Sequence, residues 1–164
     1  MTDKILFVDD DQNILASFRR QLRKEFTVET ALSGREGLEK IGKNGPFSVV
    51  VSDLRMPGMD GIEFLSQVRK FSPNSVRIML TGNADLHAAI EAVNEGNIFQ
   101  FLAKPCPLSK MINALTMGID QFRLITAERE LLEKTLRGSI GVLTEILELV
   151  NPEAFGRSSR IKCY

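Results

Sequence analysis

Apolar and polar positions along this chain alternate between two periods. Short runs rich in β-branched and aromatic residues, at Lys4–Val8, Phe26–Thr30, Phe47–Ser52, Val76–Leu80 and Ile98–Leu102, have the length and composition of strands. Between them lie segments with apolar residues three or four apart, the spacing of one helix face. Ile14, Phe18 and Leu22 predict a buried stripe on a helix that starts near Asp11. Ser33-Gly-Arg-Glu36 has the form of a capping box and predicts a second helix ending near Gly42. Asp60 and Glu63 predict the start of a third, which buries Ile62, Leu65 and Val68 and stops before Pro73. A fourth is expected from about Ala84 to Asn94, with Gly96 ending it. Five alternations of strand and helix predict an α/β fold, a doubly wound five-stranded parallel sheet flanked by helices.

After Pro107 the pattern changes. Leu108, Ile112, Leu115, Ile119 and Phe122 step by four and three, as in a helix packed on a sheet. Ile125, Leu132 and Leu136 continue the stripe with Arg129 in the seam. The stretch from Leu108 to Arg137 amounts to about 45 Å of helix, too long to stay on a sheet of this size, so its second half is expected to project and find a partner. Gly138 and Gly141 weaken the helix, and Ile140, Leu143, Leu147 and Val150 form a further stripe. Asn151-Pro152 reads as the opening of another helix. The organisation expected is a first domain at 1–122, a helical coiled-coil linker at 123–150, and at 151–164 the start of an output domain that the chain does not complete.

Composition narrows the function classes. With 164 residues and 43% hydrophobic content the chain can hold one globular domain and an appendage. Lys+Arg and Asp+Glu both count 21, which gives no basic excess for nucleic acid. No apolar run approaches the roughly 20 residues of a membrane span, so a cytoplasmic protein is expected. Cys106 and Cys163 lie far apart and His87 is the sole histidine, which argues against thiol or histidine metal sites and against a Ser/His/Asp triad.

The chemistry-bearing residues stand where strands end. Asp9 and Asp10 close the first strand, Asp53 closes the third above the loop Leu54-Arg55-Met56-Pro57-Gly58, Thr81 closes the fourth, and Lys104 follows the fifth. Ligands of open parallel sheets bind at this carboxyl edge. Three converging carboxylates repel one another unless protons or a cation neutralise them. An all-oxygen set suits Mg²⁺, with Mn²⁺ as a substitute. Asp10 and Asp53 are the expected ligands, with Asp9 reached through water and the backbone carbonyl near Arg55 completing the shell. Asp53, on the central strand, is the expected nucleophile for phosphoryl transfer.

This ordered set, Asp-Asp after strand one, a lone Asp after strand three, Thr after strand four and Phe-Leu-Ala-Lys-Pro (Phe101–Pro105) after strand five, resembles the receiver domain of bacterial two-component response regulators. The resemblance covers about Thr2 to Phe122 and implies the strand order 2-1-3-4-5. It implies Asp53 as acceptor from a sensor histidine kinase or phosphotransfer protein, Asp9 and Asp10 as Mg²⁺ ligands, and Lys104 as the phosphoryl contact. Thr81 and Phe101 would be the switch pair, Phe101 standing where family members often have Tyr. A cis Lys104–Pro105 bond is also implied. Arg55 and Asn83 occupy positions that tune the phosphoryl lifetime in the family. The stretch from Leu149 to Arg160 is similar, less closely, to the start of HD or HD-GYP output domains, with Arg157 where a His commonly stands.

Two other classes fit parts of the pattern. Asp9-Asp10-Asp11 also reads as the D-x-D of a haloacid-dehalogenase-like phosphatase using Asp9, but that fold needs a later acidic cluster, and past Lys104 the only Asp is Asp120. A pseudo-receiver that is never phosphorylated and dimerises through its C-terminal helix is the other. The receiver reading itself expects a homodimer through that helix, and signalling rather than enzymatic turnover of a separate substrate.

Overall fold

A computed structural model of the chain describes residues 3–82, 85, 87 and 98–150. The elements run β1 (Lys4–Val8), α1 (Gln12–Leu22), β2 (Thr27–Ala31), α2 (Gly34–Asn44), β3 (Val49–Asp53), α3 (Gly61–Phe71), β4 (Val76–Thr81), β5 (Gln100–Ala103) and a C-terminal helix (Leu108–Val150). All strand pairs are parallel and the sheet order is β2-β1-β3-β4-β5, as expected. Apart from Asp85 and His87, the helix expected at 84–94 and the segment 151–164 lie outside the described residues.

Alternating side chains on β1 and β3 divide the core between the two sheet faces. Ile5, Phe7, Val49 and Val51 face Leu15 and Leu22 of α1 and Met111, Leu115 and Ile119 of the C-terminal helix. Leu6, Val8 and Val50 face Ile41 of α2 and Phe64, Leu65 and Val68 of α3. Phe7 stacks on Phe18 with ring centroids 5.0 Å apart. The helix starts follow the expected caps. Asp11 accepts from the Asn13 and Ile14 amides, Ser33 from Glu36, and Asp60 from Glu63. The Glu36 carboxylate accepts from the Leu32 amide at 3.0 Å.

Several expectations need correction. Leu15, not Ile14, leads the buried face of α1, and Phe64 takes the place assigned to Ile62 on α3. These helices cross the sheet with a wider apolar face than a single stripe of four-residue steps. Helix α2 runs on to Asn44 and stops at Gly45, because Gly42 sits in open space within the helix. On the C-terminal helix Leu108 is exposed, and Met111 and Ala114 are buried with Leu115. Gly138 and Gly141 do not interrupt that helix.

By contact the chain divides into two compact units, one through Ile125 and one beginning at Thr126. The first holds the sheet and its helices. The second, as far as Val150, is helix whose large apolar side chains are exposed.

The loop after β3 is set by two glycines. Gly58 has φ +79°, a left-handed conformation that disfavours side chains. A Cβ on Gly61 would stand 2.2 Å from the Asp53 carbonyl oxygen, while the Gly61 amide donates to the Leu54 carbonyl at 2.8 Å. Gly61→Ala should therefore destabilise the fold by about 1–3 kcal/mol, the usual cost of overpacking, read from urea unfolding. A change within experimental error would show that the loop relaxes freely.

Candidate functional site

The carboxyl edge of the sheet gathers the side chains singled out by the strand ends. Val8 pairs with Ser52, so Asp9 and Asp53 emerge side by side from adjacent strands. Carboxylate oxygens of Asp9, Asp10 and Asp53 all lie within 4.8 Å of one another. Asp9 and Asp53 are buried and Asp10 is exposed. Lys104 joins them from β5: its Nζ is 3.1 Å from Asp9 Oδ2 and 3.0 Å from Asp53 Oδ1. The Lys104 amide donates to the Thr81 carbonyl at 2.9 Å, which fixes the lysine's backbone to the end of β4. The Lys104–Pro105 bond is cis, as expected.

Electrostatics follow from this packing. Burial raises the pKa of Asp9 above its ordinary value, and the Asp53 charge adds to the shift. The Asp11 amide, donating at 2.9 Å, and Lys104 act in the opposite direction. For Lys104 burial is the largest influence and lowers its pKa, yet the hydrogen bonds and charges of Asp53 and Asp9 together outweigh it and hold the ammonium above its ordinary value. One cation between two buried carboxylates leaves the three-acid cluster with excess negative charge. All its donors are oxygen, so the residues present fit a hard divalent cation.

Thr81 is buried and its hydroxyl donates to the Gly82 carbonyl at 2.8 Å. Phe101 is half-buried against the α2–α3 side of the core. The Arg55 side chain is paired with Asp85, its Nε donating to Asp85 Oδ1 at 2.9 Å. Asp85 is a partner the sequence pattern did not single out, since an acid four residues past Thr81 follows no periodicity. Asn83 lies outside the described residues. A cavity of about 860 Å³ beside α1, β2 and α2 contains none of these residues, whereas Lys104 lines a separate cavity of about 490 Å³ with Ile14, Ser17, Phe18 and Gln21 of α1.

The family model for the response regulator receiver domain matches residues 5–116. This chain belongs to the response regulator receiver family. The hydrogenase transcriptional regulatory protein HoxA of Cupriavidus necator is 35% identical over 148 residues, covering 88% of this chain and 30% of that protein. A solved structure described as adenylate cyclase from Rhodopirellula baltica is 50% identical, with a TM-score of 0.79 over 82% of this chain and 99% of that one. The signal receiver domain of an HD domain-containing protein from Pseudomonas fluorescens Pf-5 is 28% identical, with a TM-score of 0.70 over 75% of this chain and 98% of that one. The receiver spans less than a third of the length of the curated relatives it matches. Family membership makes it a signalling domain of two-component systems and sets aside the phosphatase reading with Asp9 as nucleophile. Among the described residues no helix is long and apolar enough to cross a membrane.

The raised pKa of Asp9 gives a signed expectation. A carboxyl whose folded pKa lies above the unfolded value costs stability at neutral pH, and that cost fades as pH falls through the folded pKa. In metal-free buffer Asp9→Asn should be at least as stable as wild type at pH 7, with the advantage shrinking toward pH 3.8, the ordinary carboxyl value. Urea midpoints at the two pH values check this, and a mutant less stable at pH 7 would show that the bond to Lys104 outweighs burial.

Proposed function

We propose that the receiver accepts a phosphoryl group on Asp53 from the phosphohistidine of a sensor histidine kinase or phosphotransfer protein. Phosphorylation then switches its conformation and association to control an attached output domain. The observation that carries this reading is the Lys104 ammonium held between the Asp53 and Asp9 carboxylates. Asp9, Asp10, Asp53 and the Arg55 backbone carbonyl are the groups that would hold Mg²⁺, with Mn²⁺ as a substitute. When bound, the metal neutralises the acids and shields the phosphoryl oxygens.

The protein's own residues do the rest. An Asp53 carboxylate oxygen attacks phosphorus, the P–N bond breaks with its electron pair left on the imidazole, and an acyl phosphate forms. Lys104, already beside Asp53, contacts a phosphoryl oxygen and offsets its charge. Thr81 gives up its bond to the Gly82 carbonyl for the phosphoryl group, and Phe101 turns inward into the space beside it. Asp10, exposed at the edge of the cluster, marks the side from which a donor carried on another protein would approach.

The domain reading that accompanies this is a receiver at 1–122, a helical coiled-coil linker at 123–150 and the start of an output domain at 151–164. The protein works in the cytoplasm, where such kinases present their phosphohistidine, and forms a homodimer through the C-terminal helix. No nucleic-acid contact is assigned to this chain, whose charges balance. HoxA, the Rhodopirellula protein and the HD-domain protein are named for different activities, so the output is assigned to a domain joined to the helix and not to the receiver.

Incubation with acetyl phosphate or beryllofluoride and Mg²⁺ should modify the wild type and leave Asp53→Asn unmodified, by intact mass and by NMR. Thr81→Ala should accept the group yet lose the shifts that phosphorylation produces at residues 98–110. Modification that persists in Asp53→Asn overturns the acceptor assignment. A wild type that never takes up phosphate is instead a pseudo-receiver.

A further inference from the structure

Beyond Ile125 the C-terminal helix carries a surface poorly suited to water. Leu132, Leu136, Leu143, Ile146 and Val150 are between 49% and 77% exposed. Ile140, Val142, Leu147 and Leu149 flank them, all more than half exposed. Burying one such side chain is worth about 1.5–3 kcal/mol at about 25 cal/mol per Å², or roughly 60–120 Å² each. Together they offer on the order of 500–1,100 Å², the scale of one side of a stable interface at about 800 Å². A lone surface rarely leaves that much apolar area uncovered.

We infer that the same helix of a second copy covers this surface, parallel and in register, in one heptad frame from Ile125 to Val150. The inference rests on the proposed homodimer and gives it an orientation. In this frame Ile125, Leu132, Ser139 and Ile146 occupy the d positions, and Arg129, Leu136, Leu143 and Val150 the a positions. The flanking e and g positions are polar in the first half (Thr126, Glu128, Glu133, Thr135) and apolar in the second (Ile140, Val142, Leu147, Leu149). Gly138 and Gly141 fall at c and f, away from the seam.

Orientation is set by that division. In register and parallel, the apolar half meets its own copy, and Arg129 of each helix lies beside Glu128 and Glu133 of the other. Antiparallel pairing of the same stretch sets Arg129 and Glu128 against Ile146 and Leu147, which leaves charges on an apolar surface. Strand number is set by Arg129. Leucine at a with isoleucine at d, as at Leu136 and Ile146, favours more than two strands. In a four-stranded assembly, however, the a layer encloses its guanidinium groups at several kcal/mol per ion. In a two-stranded coil the long side chain reaches water and the partner's carboxylates. The buried charge is the larger quantity, so two strands result.

The test uses the full chain with Cys106→Ser and Cys163→Ser, carrying one new cysteine at a time, with and without beryllofluoride and Mg²⁺. Ser139→Cys and Leu132→Cys should each cross-link to a disulfide dimer at least tenfold faster than Lys134→Cys, which lies at f on the outer side. Cross-linking at 139 without cross-linking at 132, which antiparallel helices set opposite residue 143, overturns the parallel orientation. Sedimentation should give a dimer, and Arg129→Glu, facing Glu128 and Glu133, should weaken it tenfold or more. A dimer that cross-links no faster at 139 than at 134 overturns the register and leaves the homodimer standing. A monomer in both conditions overturns both and assigns the surface to an output domain, and a tetramer overturns the two-stranded coil. Asp53 phosphorylation measured on the same samples reports separately on the acceptor reading.

Discussion

Like charges at close quarters set the terms of this fold. Three carboxylates with oxygens inside 4.8 Å are unfavourable unless their positions are imposed, and the sheet imposes them. Adjacent parallel strands end together, so side chains at the ends of β1 and β3 have nowhere else to go. The cost of burying Asp9 and Asp53 is offset by one ammonium that enters from β5. Removing the hydrogen bonds that fix β5 to β4 would leave that ammonium without a fixed origin. The site is therefore a property of strand registry before it is a property of any residue.

The same logic explains what could be read from the sequence and what could not. Strand positions came within two residues because buried parallel strands are short, apolar and bounded by turn residues. The acids and the lysine were legible because each closes such a run. Ile14 and Ile62 were misjudged for a different reason. A helix lying on a sheet presents a broad face, and periodicity alone does not say which neighbour of a stripe turns further inward. Asp85 escaped notice since its pairing with Arg55 joins two loops, and loop-to-loop contacts leave no periodic trace. Gly42 has the form of a stop signal in the sequence, whereas the extended Gly45, ahead of Pro46, ends α2.

Similarity to a hydrogenase regulator, to a protein described as an adenylate cyclase and to the receiver of an HD-domain protein has a physical counterpart. Nothing in the acidic cluster refers to what lies downstream. Asp9, Asp10, Asp53, Thr81 and Lys104 all lie within the first unit, whose Met111–Ile119 segment belongs to the core on one face of the sheet. The helix that contributes this segment continues without interruption to Val150. A module of this kind can be joined to unrelated outputs provided the helix between them tolerates the join.

Gly61 carries a consequence for how such a chain can vary. Its backbone approaches the Asp53 carbonyl so closely that the seven residues between them, Leu54 to Asp60, behave as a spacer of fixed length. One residue more or fewer would rotate α3 against β3 and carry Phe64, Leu65 and Val68 off their places on the sheet. Insertions and deletions are thereby disfavoured in the loop that follows Asp53. The turn at 23–26, ahead of the edge strand β2, contains no glycine held against a strand end in this way. Asp53, the proposed acceptor, thus stands at the head of a stretch whose length is fixed.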